Sequence, residues 1–111
     1  MPTINEDYVL RQIEMISEMI TRALGFKVER RYDEALETLD VAMEELFGTG
    51  TNVLEMVDAY TAARLISDPI KIRAYADLLK IKADIPSGTK RMARLKTRYQ
   101  TLYDEAQRLS N

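Results

Sequence analysis

The 111-residue chain has no cysteine and no histidine, and its 16 bases and 18 acids leave a net charge of -2. Those absences exclude disulfides and thiolate chemistry, the usual zinc sites, Cys-His and Ser-His nucleophile pairs, and any imidazole proton shuttle. The length fits a single domain, 1–111, with one core. With only four glycines and three prolines, the residue mixture favours helices, because straight-chain side chains lose little rotamer freedom there.

The first residues, Met1-Pro2-Thr3-Ile4-Asn5-Glu6-Asp7, are polar and acidic, without the basic start and apolar run of a secretory signal. No later stretch approaches the length needed to span a bilayer, so a cytoplasmic protein is the expectation. Thr3 and Glu6 have the spacing of a capping box, with Asn5 as a competing cap, and helix one is predicted over 5–29. Its main stripe is Val9, Ile13, Ile16, Ile20 and Ala23 or Leu24. Tyr8, Met15, Met19 and Phe26 form a second apolar line, which predicts burial over a wide arc with a weak point at Gly25.

A short turn at 29–31 makes helix two, 32–47, run antiparallel to helix one. Its apolar side is Tyr32, Ala35, Leu36, Leu39, Ala42, Met43 and Leu46, at the spacing of a packed helix. The small Ala35 and Ala42 allow close approach while Tyr32, Leu36 and Leu39 fill the space beside them; these five residues are the expected hairpin core. Gly48-Thr49-Gly50-Thr51 reads as a stop, and Asn52 with Glu55 as a new capping pair opening helix three, 52–66.

Ser67-Asp68-Pro69 supplies a cap and then proline at the first helical position of helix four, 69–83. That helix has two apolar lines and should be flanked on both sides. Ile85-Pro86-Ser87-Gly88-Thr89 is the last break. Helix five, 88–109, follows with Met92, Leu95, Tyr99, Leu102, Ala106 and Leu109 in a narrow heptad-like seam, suited to a groove of this chain or of a second copy.

Tyr32-Asp33-Glu34-Ala35 resembles the start of the second helix of a tetratricopeptide repeat, with Ala42 at a later small position and Ala23 and Phe26 at the small and aromatic positions of the preceding helix. Arg30 stands where that repeat usually has glycine in the turn. Together with Asp7-Tyr8-Val9-Leu10-Arg11-Gln12-Ile13-Glu14 and the hairpin around Ser67-Asp68-Pro69, the pattern resembles a small bacterial family of uncharacterised tetratricopeptide-like (TPR-like) proteins. The resemblance implies an all-α fold of about five helices in antiparallel hairpins, an α-α superhelix, and implies no activity.

The charges are unevenly spread. Residues 29–58 hold nine acids and two bases, whereas residues 59–98 hold ten bases and three acids. Opposite faces can neutralise each other within the fold or meet between two copies. Glu37, Asp40, Glu44 and Glu45 make an acidic strip that reads as a solvated helix face rather than a metal site, because the Glu-x-x-His pattern is missing. Met15, Met19, Met43, Met56 and Met92 read as core filler, with a methionine-rich adaptable groove as the lesser alternative.

Lys90, Arg91, Arg94 and Arg98 line up at the start of helix five, where Ser87, Gly88 and Thr89 make the helix N-terminus a candidate anion site. A pI near 5.2 argues against a dedicated nucleic-acid binder. The favoured reading is a non-enzymatic protein-interaction or self-assembly module, possible as a homodimer, without cofactor or metal and with no membrane contact. The alternative is an anion or nucleic-acid accessory binder using those four bases.

Overall fold

Local breaks decide where each helix of this chain begins and ends, and apolar spacing decides which side of it turns inward. The computed structural model describes residues 4–86 and 89–110, with only the backbone described for residues 4–6 and 89; the cap expected at Thr3 lies outside them. The fold is all-α, with no strand among the described residues: α1 (Ile4–Val28), α2 (Tyr32–Phe47), α3 (Thr51–Met56), α4 (Ala59–Ile66), α5 (Pro69–Asp84) and α6 (Thr89–Ser110). Five helical stretches were expected, and the third is interrupted at Val57–Asp58.

The turn after α1 closes by two backbone bonds, Arg31 N–H to the Phe26 carbonyl at 2.8 Å and Arg30 N–H to the Lys27 carbonyl at 3.0 Å. This is the pattern of a Schellman cap, and it places Arg30 at φ 62°, where glycine is normally favoured. Arg31 then lies 4.7 Å from the Phe26 ring centre and bonds Glu34 and Glu29, which raises its pKa, Glu34 being the larger cause. These contacts bring α2 back along α1. Gly25 does not interrupt α1; a side chain there would meet nothing within 4 Å.

Ala35, Leu39 and Ala42 are fully buried, with Tyr32 and Leu36 half-buried at the margin of the same core. On α1 the buried arc is narrow. Ile16 and Ala23 are buried and Ile13, Met19 and Ile20 half-buried, but Tyr8 is 62% and Met15 46% exposed. The expected wide arc fails because, among the described residues, only those of α2 and α5 pack on α1.

After α2, Gly48 takes φ 58° and a 3-10 turn over Gly48–Gly50 leads into α3. Thr51 is the residue that does the capping, and it caps backwards: its hydroxyl donates to the Gly48 carbonyl at 2.9 Å and the Met43 carbonyl at 3.3 Å. The cap expected at Asn52 is absent, since Asn52 already lies inside α3. Asp58 then ends the would-be third helix by starting a new one, accepting from the Thr61 backbone N–H and hydroxyl, each at 2.9 Å. The same bonds, the backbone one first, hold its carboxyl below the usual range.

At the next junction Asp68 caps α5, accepting from the Ile70 N–H at 2.9 Å, with Pro69 at the first helical position. α5 is the element that joins the two halves, touching α1 and α2 as well as α4 and α6. It buries Ile72, Ala74, Tyr75, Ala76, Leu78, Leu79 and Ala83, so it is apolar on more than one side, as its two lines require. Its most extensive partner is α6, and there the heptad seam finds its groove within the chain. Leu102 and Ala106 are buried, and Met92, Leu95 and Tyr99 half-buried. The whole measures 43 × 26 × 25 Å.

Candidate functional site

Two clefts open beside α3. The first, about 780 Å³, takes Asp40, Glu44 and Glu45 from the exposed side of α2, Asn52 and Glu55 from α3, and Lys82 from α5. α2 presents these acids because its opposite side carries the buried Leu39, Ala42, Met43 and Leu46, leaving the polar positions to solvent. The second, about 650 Å³, is lined by Arg91, Arg94 and Arg98 of α6, by Tyr75, Leu79 and Lys82 of α5, and by Glu55, Asp58 and Tyr60.

Glu55 and Lys82 line both clefts, so the two adjoin there and together form a grooved surface, acidic on one side and basic on the other. Lys82 is the pivot: its side chain is only 12% exposed and bonds Asp40 at 3.3 Å. The floor at the basic end includes Tyr75, fully buried, whose ring meets Phe47 edge-on at 5.4 Å and whose hydroxyl has no hydrogen-bond partner among the described residues.

The four bases singled out in the sequence do not act together. Arg98 is half-buried and turned onto the end of α3, where Nη1 donates to the Val57 carbonyl at 2.7 Å and Nη2 to that of Leu54. A guanidinium on the last carbonyls of a helix satisfies groups that otherwise lack partners and suits the negative end of the dipole. Arg91 and Arg94 reach the groove with neither hydrogen bond nor ion pair among the described residues. Lys90 is exposed and lines neither cleft. Ser87 and Gly88 lie outside the described residues, as does the side chain of Thr89, and with them the expected helix-terminal anion site.

No family model, curated protein or solved structure matches the chain. The groove is therefore read from its own chemistry. Glu44, Glu45 and Glu55 are exposed, and none makes a side-chain bond among the described residues. Among the described residues no group of three or more carboxylates could hold a metal ion, and no helix is long and apolar enough to cross a membrane.

Sequence reasoning missed Lys82, Tyr75 and Glu55 as groove residues. Lys82 and Tyr75 sit on a helix read as core, and Glu55 was read as part of a cap. The methionine reading also divides: Met43 is buried, whereas Met56 is 85% exposed beside Glu55.

Proposed function

We propose that the chain is a non-enzymatic interaction module of the cytoplasm, built of tetratricopeptide-like hairpins, that binds protein in the groove beside α3. The observation that carries this reading is that an acidic cleft and a basic cleft adjoin, sharing Glu55 and Lys82 as lining residues. A groove with one charge at each end selects a partner with the reverse order of charges, and complementarity of that kind gives specificity and register. Support for the hairpin reading comes from α5, which packs on both helices of the α1–α2 pair as the first helix of a following repeat would.

The test is a titration of isotope-labelled protein with short peptides of equal composition. One peptide carries a basic half followed by an acidic half, one the reverse order, and one the same charges alternating. Amide signals of Glu44, Glu55, Arg91 and Arg94 should move together with one block order and hardly with alternation. The effect should fade between about 0.05 and about 0.5 M salt as the screening length shortens. Groove signals that stay still with every peptide overturn the reading.

A further inference from the structure

We propose that the groove's occupant is the same groove of a second copy, in a two-fold dimer; this rests on the reading of the groove as a protein-binding surface. In a two-fold interface one patch faces itself in reverse, so residue i meets residue j and j meets i. A patch acidic at one end, basic at the other and pivoted on Glu55 and Lys82 is self-complementary under that operation. The acids Glu44 and Glu45 of each copy come opposite Arg91 and Arg94 of the other.

The charges on offer fit this use. Lys82 and Arg98 are engaged inside the chain, by Asp40 and by the end of α3. Arg91, Arg94, Glu44 and Glu45 are exposed and make no side-chain bond among the described residues. Any other partner would have to carry the reverse charge order independently, whereas a second copy carries it by construction. The apolar component is present as well. Val41 lines the acidic end at 43% exposure and Tyr60 the basic end at 60%, so each end carries an exposed apolar side chain beside its charges.

The experiment is a charge exchange read by light scattering at low salt, with circular dichroism to show that each chain is folded. The wild-type chain should have twice its 12.8 kDa mass and dissociate as salt rises. E44R/E45R alone and R91E/R94E alone should each be monomeric, since like charges now face each other in both halves. Mixed in equal amounts they should form a heterodimer, because both halves of the interface are again complementary.

E14R/E18R, an equal change of net charge on the exposed side of α1, should not rescue R91E/R94E. If a reversed chain fails to fold, E44Q/E45Q and R91Q/R94Q take its place, each expected to weaken the dimer at least about tenfold. A wild-type monomer at low salt, single variants that remain dimeric, rescue by E14R/E18R, or folded variants that fail to pair overturn the proposal. If the dimer fails while block peptides still shift groove signals, the protein-binding reading stands. If both fail, it falls with the dimer.

Discussion

Arg98 donates a hydrogen bond to the backbone carbonyl of Val57 across 41 residues of sequence, at 2.7 Å. With its second bond, to Leu54, the guanidinium finishes α3 and fixes the break before α4 against α6. Arg98→Met keeps much of the apolar stem and strands both carbonyls, so it should cost about 1.5–3 kcal/mol, the range for hydrogen bonds to a charged group. Arg91→Met, at an exposed position, should stay within about 0.5 kcal/mol. Urea unfolding of the two variants decides; equal midpoints mean that Arg98 does not hold α3.

Leu39 is fully buried where α2 meets the core, and Glu37 two residues earlier is exposed. Leu39→Ala leaves a cavity and should destabilise by about 2–5 kcal/mol. Glu37→Ala should change stability by no more than about 0.5 kcal/mol. The pair tests the facing of α2, and comparable losses would mean that the helix is turned the other way.

Among the described residues, two non-glycine residues occupy positive φ, Arg30 at 62° and Ser67 at 63°. Arg30 is the left-handed residue of the cap between α1 and α2. Ser67 sits inside a γ-turn closed by Asp68 N–H to the Ile66 carbonyl at 2.8 Å. Glycine removes the Cβ clash at either position but adds freedom to the unfolded chain, so Arg30→Gly and Ser67→Gly should each stabilise by about 0.5–1 kcal/mol. Thermal melts check this, and an alanine in either position should not reproduce the gain.

Tyr103 donates its hydroxyl to Asp77 on α5, linking α6 to it. Burial first, and then the Asp77 bond, hold the phenol well above its ordinary value of 10.0. The folded chain therefore keeps a proton that the unfolded chain releases, so this contribution is intact below pH 10 and declines as pH climbs from there toward the folded value. Urea midpoints measured from neutral to strongly alkaline pH should fall more steeply for wild type than for Tyr103→Phe. Parallel curves would show that the hydroxyl is not protected.

The helices and the inward side of α2 were legible in the sequence because their causes are local. Alanine and leucine at helical spacing, acids in the first turn, and Asp68 before Pro69 act within a few residues of themselves. The break at Asp58 was local too, and its signal was there to read: a carboxylate three residues before Thr61 is a capping arrangement. It went unread because the apolar spacing ran on through it. Tertiary structure alone decided which neighbours each face received. It left the Tyr8–Met15 line of α1 bare, gave the α6 seam to α5, spent Arg98 on the end of α3, and brought the acids of α2 and the bases of α6 to opposite ends of one groove. Periodicity sets where a side chain stands on its own helix, but charge and exposure depend on what packs alongside, and that follows from helices far apart in sequence competing for the same apolar surface.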